Sequence, residues 1–322
     1  MRVLVTGANG FVGRALLPRL LQSGEHSVRA AVRKHADGLP KDVDIAIGCG
    51  LSPNADWRPL LEGCDAVVHL AARVHVMRDE VANPGEAYHK ANVEGTLQLA
   101  RQAVEMGVSR FIFVSSIKVN GEETPKGIVY REESIPAPVD PYGVSKWNAE
   151  KGLRQLAKDS SLEVVILRPP LVYGPGVKAN FLSMMRWLDR GIPLPLAKIN
   201  NARSFVAVGN FVDVIALCLD HPEAANETFL VSDGEDLSTS ELLARLAHAL
   251  DRSPRLFYLP LGMMQPVAKF LGKQAVMKRL FGSLRVDSSK VRRRLGWTPP
   301  LTVEQAFAEV AEYYRDISSH GS

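Results

Sequence analysis

The chain has 322 residues, of which 46% are hydrophobic and 23% are charged. This composition is typical of a folded globular protein of one or two domains, and it excludes a largely disordered chain, a collagen-like repeat and a polytopic membrane protein. Lys and Arg number 39 and Asp and Glu 35, a net charge of +4. So small an excess does not indicate nucleic-acid binding, although it suits a substrate that carries phosphate groups.

The three cysteines predict neither a disulfide framework nor a zinc site, because they are odd in number and far apart. They are Cys49, Cys64 and Cys218. The apolar run at the amino terminus is too short for a signal peptide, and no uninterrupted stretch reaches about 18 apolar residues. We therefore expect a cytoplasmic protein without a bound metal.

Short apolar segments alternate with helical periodicity through the first half of the chain. Strands are predicted at Arg2–Thr6, Val28–Val32, Ala66–Leu70, Phe111–Ser115 and Val164–Leu167. Helices are predicted at 11–23, 88–106 and 141–158. This alternation predicts an α/β fold with a doubly wound parallel sheet of the Rossmann type. Such sheets bind ligands beyond the carboxyl ends of their strands, where the strand order reverses.

The alternation weakens after Arg168, where prolines punctuate residues 169–200. Beyond them the pattern predicts a strand at Phe205–Val208, a helix at 210–220 and a strand at Phe229–Val231. Residues 235–322 are predicted to be mostly helical, with a break near 254–266.

These shifts predict two units. Residues 1–168 and 203–233 would form a dinucleotide-binding domain, and residues 169–202 and 234–322 a smaller mixed substrate-binding lobe. The basic and apolar segment at 256–283 is compatible with a helix on a membrane surface. Basic amphipathic stretches are common, and such a helix more often packs on its own domain.

A glycine-rich segment with the sequence GANGFVG joins the first strand to the first helix. Glycines let the backbone approach a pyrophosphate, and the helix N terminus supplies N–H donors and a positive dipole. The strand–loop–helix context distinguishes this segment from a plain tight turn. We expect a dinucleotide site to which the loop contributes Gly7, Asn9, Gly10, Phe11, Val12 and Gly13.

The second predicted strand is followed by Arg33 and Lys34, about 20 residues beyond Gly13. Sites for NAD usually place an acid there to hold the ribose 2′-hydroxyl, whereas a cation suits the 2′-phosphate of NADP. We therefore predict NADP(H), held by Arg33 with Lys34 or Arg14 in support, and NAD(H) as the alternative. A solvated basic loop is the plainer interpretation of the same residues.

A serine and a tyrosine–lysine motif occupy the middle of the chain. Ser116 ends a strand, and an Asp-Pro pair at 140–141 provides a good N-cap and first helical residue. Tyr142 and Lys146 then lie four residues apart on one helical face. An ammonium beside a phenol lowers the phenol pKa, which would let Tyr142 exchange a proton with a substrate oxygen near neutral pH. Each pattern alone occurs by chance, but together and after a glycine loop they are specific.

With these motifs the chain resembles the extended short-chain dehydrogenase/reductases of the nucleotide-sugar group, which include the UDP-glucose 4-epimerases. The likeness covers nearly the whole chain. The matching segments are Gly7–Gly13, His69–Ala72, Asn92–Thr96, Ser115-Ser116, Tyr142–Lys146, Arg168-Pro169 and Val172–Gly176.

The resemblance implies a catalytic triad of Ser116, Tyr142 and Lys146. It implies further cofactor contacts from Leu51, Leu70, Ala71, Ala72, Asn92, Tyr142, Lys146 and Pro169. It implies Arg203 for the diphosphate of a UDP-sugar substrate. Arg73, Lys118 and Asn180 are further candidates for binding this substrate, and a solvated lysine is the alternative for Lys118. It also suggests a homodimer through the helices at 88–106 and 141–158. The acid that the family often places before Leu51 is replaced by Gly50.

The family contains several activities, and the motifs favour one of them. Where this chain has Ser-Ile-Lys at 116–118, the sugar dehydratases typically have Thr-Asp-Glu. The Asp and Glu of those enzymes perform the acid/base elimination of water, which Ile117 and Lys118 cannot do. Epimerases usually carry an acid after the second strand, where this chain has Arg33. Residues 69–77 and 115–122 resemble the bacterial O-antigen reductases that form UDP-N-acetylquinovosamine.

We therefore expect NADP(H)-dependent reduction of the 4-keto group of a UDP-2-acetamido-2,6-dideoxy-4-hexulose, for O-antigen lipopolysaccharide synthesis. The first alternative is an NAD-dependent 4-epimerase of UDP-sugars or of a lipid-linked sugar diphosphate. The second is a non-enzymatic protein on the same fold, which would have been free to lose Tyr142 or Lys146.

Overall fold

The computed structural model describes residues 1–34, 37–48, 50–74, 83–270, 272 and 274–319. Its strands are β1 (Arg2–Thr6), β2 (Ser27–Val32), β3 (Asp44–Ile47), β4 (Ala66–His69), β5 (Arg110–Val114), β6 (Glu163–Arg168), β7 (Leu171–Tyr173), β8 (Arg203–Ala207), β9 (Thr228–Leu230) and β10 (Asp236–Leu237). Its α-helices are α1 (Phe11–Gln22), α2 (Arg58–Leu61), α3 (Pro84–Tyr88), α4 (Gly95–Glu105), α5 (Pro141–Lys158), α6 (Ala179–Asp189), α7 (Val208–Asp220), α8 (Thr239–Ala249), α9 (Leu261–Phe270), α10 (Gln274–Phe281), α11 (Ser289–Leu295) and α12 (Val303–Ser319). A π-helical segment spans His89–Glu94, and 3₁₀ turns span Ile117–Val119 and Pro222–Ala224.

Seven parallel strands form the main sheet in the order β3-β2-β1-β4-β5-β6-β9. The chain moves outwards from β1 in one direction and then from β4 in the other, so the strand order reverses between these two strands. Ligands of such sheets bind beyond the carboxyl ends of the strands at this point. The predicted doubly wound, Rossmann-type α/β fold is confirmed, together with a smaller mixed sheet.

The alternation of side chains along β1 explains why both faces of the main sheet are covered. Val3 and Val5 pack in a core that includes residues of α1 and α7, whereas Leu4 packs in a second core with residues of α2, α4 and α5. A strand with apolar side chains on both faces is typical of the interior of a parallel sheet.

The smaller sheet has the order β10-β8-β7, with β7 parallel and β10 antiparallel to β8. A third core lies on it and includes residues of α6, α8 and α12. Strand β8 contributes to two cores, because Val206 packs with the main sheet and Phe205 with the third core. The predicted boundaries of the two units stay a prediction.

Several elements differ from those predicted. The region 88–106 is an α-helix, a π-helical segment and a second α-helix rather than one continuous helix, and α9 begins at Leu261 inside the predicted break near 254–266. Strand β3 was not predicted because it lies at the sheet edge, where Ile45 and Ile47 are exposed and no buried apolar run marks it. Among the described helices, none is both long enough and apolar enough to cross a bilayer.

Candidate active site

The loop between β1 and α1 brings backbone atoms too close together for side chains. Gly7 has a φ of +69°, and a Cβ there would lie 2.8 Å from the backbone nitrogen of Ala71, just beyond β4. A Cβ on Gly13 would lie 2.5 Å from the carbonyl oxygens of Gly7 and Ala8. Both positions therefore require glycine, and the loop packs directly against the chain that leaves β4.

Helix α1 begins at this loop with amide groups that no side chain caps. Its N-cap is Gly10, and its first turn contains no acid. Uncapped N–H groups and the helix dipole together attract an anion. The loop and the helix therefore fit the pyrophosphate of a dinucleotide, with Asn9 exposed beside it and Phe11 and Val12 packed against the core.

Residues 70–72 are half-buried where the chain leaves β4, and a hydrogen-bonded histidine supports them. The Thr6 hydroxyl accepts a hydrogen bond from the Ala71 N–H at 3.3 Å and lies 2.7 Å from Nδ1 of the buried His69. Nε2 of His69 lies 3.0 Å from Oγ1 of Thr96. Burial lowers the pKa of His69 to about 3, with Lys146 acting in the same direction. The neutral ring thus links β1, β4 and α4.

Asn92, in the π-helical segment, fixes the position of Arg73. Its side-chain amide donates to the Arg73 carbonyl oxygen and to Ser145 Oγ, both at 3.0 Å, and its Oδ1 accepts from the Arg73 N–H at 2.7 Å. The Arg73 guanidinium carbon lies 5.7 Å from the centroid of the Tyr88 ring. That ring stands edge-on to the ring of Tyr142, with 6.2 Å between centroids. The motifs did not indicate Tyr88, which lies next to the predicted catalytic tyrosine.

The two serines after β5 have opposite environments. Ser115 is buried and its hydroxyl donates to Glu150 at 2.6 Å, whereas Ser116 is half-buried. The Oγ of Ser116 accepts a hydrogen bond from the Lys118 N–H at 3.2 Å and caps the 3₁₀ turn. Successive side chains of an extended segment point to opposite sides. Ser116, as predicted from the motif, is therefore the serine with an accessible hydroxyl.

Lys146 joins the end of β5 to the face of α5 that carries Tyr142. Its Nζ donates to the Val114 carbonyl oxygen at 2.8 Å and lies 4.5 Å from the centroid of the Phe113 ring. The same atom lies 5.9 Å from the centroid of the Tyr142 ring. Burial lowers the pKa of Lys146 to about 7, although the charge of Glu150 acts in the opposite direction.

The prediction that Lys146 lowers the pKa of Tyr142 is wrong for this structure. Burial raises the pKa of the phenol, and Asp140 and Tyr88 raise it further. The pKa of Lys146 is itself lowered to about 7, so at neutral pH the lysine carries only part of a positive charge. Tyr142 is therefore a neutral phenol in this structure, and it must lose its own proton before it can accept one from a substrate.

Glu150 lies one helical turn beyond Lys146 and is completely buried. Its Oε1 accepts hydrogen bonds from Ser115 at 2.6 Å and from Nε of Arg168 at 2.9 Å. Its Oε2 accepts from Nη2 of Arg168 at 2.5 Å and from Arg154 at 2.8 Å. The motifs did not indicate this carboxylate, although its spacing of four residues from Lys146 places it on the same helical face.

Lys118, predicted to bind substrate, is held by two carboxylates. It forms ion pairs with Asp140 and, at 3.5 Å, with Glu122. Asp140 is the N-cap of α5 and accepts a hydrogen bond from the Gly143 N–H at 2.7 Å. A Cβ on Gly143 would lie 2.8 Å from the Lys118 carbonyl oxygen, so α5 starts in direct backbone contact with the 3₁₀ turn. A substrate contact by Lys118 would compete with both acids.

Arg33 and Lys34 follow β2 and are exposed. Since β2 lies next to β1, these cations stand at the same sheet end as the glycine loop. Arg14 of α1 reaches the chain after β2, where its guanidinium donates to the carbonyl oxygens of residues 37–38 at 3.0 and 3.3 Å, and also to that of Asn9 at 3.2 Å. Arg33 makes no ion pair with any other described residue.

Two further cofactor candidates lie where strands and helices meet. A Cβ on Gly95 would lie 2.9 Å from the backbone of Leu51, so the chain at Leu51 packs on the start of α4. The carbonyl oxygen of Pro169 accepts a hydrogen bond from the Ile117 N–H at 3.0 Å, next to Ser116. Pro169 thus lies beside the predicted triad.

The remaining substrate candidates lie on α6 and on the smaller sheet. Asn180 is exposed on α6. Arg203 begins β8 and donates to the Gly282 carbonyl oxygen at 2.9 Å, and burial lowers the pKa of its guanidinium. Of the segment 69–77 used in the resemblance, residues 75–77 lie outside the described residues.

A group with metal-binding chemistry lies elsewhere. Candidate ligand atoms of Glu25, His26 and Asp220 all lie within 4.8 Å of one another. His26 directly precedes β2, so this group stands at the amino ends of the strands, away from the glycine loop. Exposed acids of this kind are common without a metal.

Comparison with known proteins identifies the family of the chain. Residues 3–232 match the NAD dependent epimerase/dehydratase family. The chain is 47% identical over 314 residues to a UDP-glucose 4-epimerase of Vibrio cholerae, covering 97% of this chain and 95% of that protein. It is 27% identical over 328 residues to the N-acetyl-alpha-D-glucosaminyl-diphospho-ditrans,octacis-undecaprenol 4-epimerase of Escherichia coli O157:H7, covering 97% and 94%.

A solved structure shares the fold over the full length. MoeE5 in complex with UDP-glucuronic acid and NAD has a TM-score of 0.78 and 27% identity, covering 98% of this chain and 100% of that chain. The family match covers more than half of the chain, and the identity to the Vibrio cholerae enzyme extends over nearly all of it. The chain therefore belongs to the NAD dependent epimerase/dehydratase family.

Proposed function

We propose that the protein is an NAD-dependent 4-epimerase of a UDP-sugar. The observation that carries this proposal is the 47% identity, over nearly the whole chain, to the UDP-glucose 4-epimerase of Vibrio cholerae. We prefer this activity to the NADP(H)-dependent reduction of a 4-keto sugar, which the sequence motifs favour. Ser116, Tyr142 and Lys146 are the residues to which we assign the chemistry.

Epimerisation at carbon 4 removes a hydride and a hydroxyl proton and returns the hydride to the opposite face. NAD, when bound, supplies the hydride acceptor and a positive charge in the cleft. For this reaction Tyr142 would first lose its own proton; the phenolate would then take the proton from the 4-hydroxyl oxygen and later return it, while Ser116 hydrogen-bonds the same oxygen. Because burial raises the pKa of Tyr142, the protein needs a nearby cation to stabilise the phenolate. Lys146 is only partly protonated at neutral pH because its pKa is about 7, so it would share this role with the positive charge of NAD when NAD is bound.

The chain has candidate binding residues for the cofactor and for the sugar substrate. The glycine loop and the uncapped start of α1 fit the pyrophosphate of NAD, with Leu51, residues 70–72, Asn92 and Pro169 as further contacts. Arg203, Asn180, Arg73 and Lys118 are proposed for the UDP-sugar, with Arg203 on its diphosphate. A homodimer through α4 and α5 belongs to the same proposal.

A second candidate is favoured by Arg33. This exposed cation follows β2, where it would suit the 2′-phosphate of NADP. It supports an NADP(H)-dependent reductase of a UDP-linked 4-keto sugar, the activity that the motifs favour.

One set of incubations separates these activities. The purified protein is mixed with UDP-glucose or UDP-N-acetylglucosamine, with and without added NAD, and the products are followed by nuclear magnetic resonance. Parallel incubations contain a UDP-linked 4-keto sugar with NADPH, or a lipid-linked sugar diphosphate with NAD. The epimerase predicts a mixture of carbon-4 isomers without net change in the cofactor. The reductase predicts turnover only with a 4-keto sugar and one NADPH oxidised for each product. Epimerisation of a lipid-linked sugar diphosphate, with none of a UDP-sugar, would replace the proposed substrate.

The matched variant is Tyr142→Phe. It should abolish turnover of every sugar while NAD still binds, because it removes one hydroxyl group and leaves the glycine loop intact. Turnover at the wild-type rate would remove Tyr142 from the mechanism.

A further inference from the structure

One segment of the smaller lobe has a charge unlike the rest of the chain. The 35 residues from Arg252 to Val286 contain seven Lys or Arg and no Asp or Glu. The remainder of the chain then has 32 basic and 35 acidic residues, since the totals are 39 and 35. The positive excess of the whole chain therefore lies in this segment.

The same segment exposes large apolar side chains. Phe270 is 91% exposed, Met263 62% and Tyr258 60%. Phe257, Leu261 and Val276 are exposed as well. Scattered exposed apolar residues are ordinary, but these lie on α9, on α10 and on the chain just before them, and α9 packs against α10. Exposed apolar side chains gathered in one place mark an interaction surface.

The ion pairs of the segment do not use all of its cations. Arg252 pairs with Asp189 and Arg285 with Asp236, while Lys278 lies 4.0 Å from Glu122 and 3.9 Å from Glu123.

Of the other four cations of the segment, Lys273 lies outside the described residues. Within the described residues, Arg255, Lys269 and Arg279 form no ion pair. Their charge remains available to an anionic partner.

The helices of the segment are suited to a lipid surface and not to a bilayer span. Helix α9 has 10 residues and α10 has 8, whereas a span needs about 20. Short helices with aromatic, Met and Leu side chains and a basic edge lie in the plane of the membrane interface. We propose that α9, α10 and the chain from Phe257 that leads into them dock the protein on an anionic lipid surface.

Charge favours this partner over a second copy of the chain. A symmetric dimer would place the same surface of both copies face to face, and the unpaired cations would repel one another. An anionic bilayer attracts them instead, by about fivefold in affinity for each Lys or Arg near its surface.

The docking surface lies beside residues that we propose for substrate binding and catalysis. Gly282, which directly follows α10, accepts the hydrogen bond from Arg203. Lys278 of α10 lies near Glu122 and Glu123, which follow the 3₁₀ turn next to Ser116. A docked protein would therefore hold its substrate lobe against the membrane. This inference concerns where the enzyme works and does not depend on the reaction it catalyses.

The test uses the full chain and vesicles of phosphatidylcholine, with or without phosphatidylglycerol, separated by sedimentation. We expect binding only to the anionic vesicles, weakening with salt. Lys269→Gln should weaken it about fivefold, and Phe270→Ser should also weaken it. The control variants are Lys41→Gln, an exposed cation, and Ile317→Ser, an exposed apolar residue of α12, and both should bind as the wild type does.

Three results would overturn the proposal: no binding to anionic vesicles, equal binding to neutral vesicles, or unchanged binding of both Lys269→Gln and Phe270→Ser. A wild-type oligomer that Phe270→Ser dissociates, without vesicle binding, would assign the surface to a second copy. Sugar turnover in solution is measured separately, so these outcomes leave the proposed function untouched. Lys269→Gln and Phe270→Ser should turn over UDP-sugar at the wild-type rate without vesicles, which shows that they are folded.

Discussion

Glu150 and Arg168 form a bidentate ion pair that is closed to solvent at the carboxyl end of β6. Nε and Nη2 of Arg168 donate to the two carboxylate oxygens at 2.9 and 2.5 Å. Ser115, the residue before Ser116, donates to the same carboxylate. Since Glu150 is one turn from Lys146 on α5, this pair holds the strand end and the helix of the proposed triad in a fixed relation.

Removing the carboxylate should destabilise the fold, because Arg168 would remain buried without its counter-charge. For Glu150→Ala we expect a loss of about 3–5 kcal/mol in the free energy of unfolding, measured by urea denaturation. Replacing both partners, as in Glu150→Leu with Arg168→Met, should cost less than the single change, because neither charge of the pair is then left buried without the other. A single variant as stable as the wild type would contradict the role given to this pair.

The lowered pKa of Lys146 predicts a pH-dependent stability. Its pKa is about 7 in the folded chain against an ordinary value of 10.5, so between these values the unfolded chain holds a proton that the folded chain has released. Stability therefore rises with pH across this window, by up to about 1.4 kcal/mol per pH unit. It is lost as the pH falls from 10.5 to 7, and the loss is complete once the pH has fallen through 7. The free energy of unfolding of the wild type minus that of Lys146→Met should show this rise.

The control for Lys146 is Lys41→Met, because Lys41 is exposed. The free energy of unfolding of the wild type minus that of Lys41→Met should not change over the same pH range. A flat difference for Lys146→Met as well would mean that Lys146 stays protonated in the folded chain.

Much of the site could be predicted because its signals are local. The glycine loop, the Asp-Pro start of α5 and the four-residue spacing of Tyr142 and Lys146 are each contained in a few neighbouring residues. Two features of the site depend on burial and on partners distant in the chain, so no short motif predicts them. They are the ion pair of Lys118 with Asp140 and the raised pKa of Tyr142. The π-helical segment that places Asn92 likewise has no simple periodic pattern.

Gly143 should be sensitive to the smallest substitution. A Cβ there would lie 2.8 Å from the Lys118 carbonyl oxygen, so Gly143→Ala has to displace α5 from the 3₁₀ turn that Ser116 caps. We expect kcat to fall by about 10–100-fold, since small displacements of reacting groups have effects of this size.

The matched control for Gly143 is Gly262→Ala in α9, where an added Cβ meets no atom within 4 Å. This variant should retain full activity and be slightly more stable, because alanine is the better helix former. Equal activity of the two variants would contradict a tight contact at Gly143.

Arg33 provides a direct test of cofactor choice. If it lies near the 2′-position of the adenosine ribose, Arg33→Asp should lower the affinity for NADP and raise that for NAD, because the carboxylate repels a phosphate and accepts from a hydroxyl. The ratio of the two dissociation constants, measured by fluorescence titration, should shift about tenfold or more towards NAD, a change of about 1.4 kcal/mol. Lys41→Asp is the control. An unchanged ratio for Arg33→Asp would mean that Arg33 belongs to a solvated basic loop and does not select the cofactor.

The most direct test of the proposed function is the fate of carbon 4 during incubation of the purified protein with UDP-glucose and NAD. The proposal predicts that the protein forms UDP-galactose, reaches the same isomer ratio from either side, and leaves the amount of oxidised NAD unchanged. Tyr142→Phe should form neither isomer. Absence of isomerisation with any UDP-sugar, together with stoichiometric oxidation of NADPH by a UDP-linked 4-keto sugar, would contradict it and establish the reductase instead.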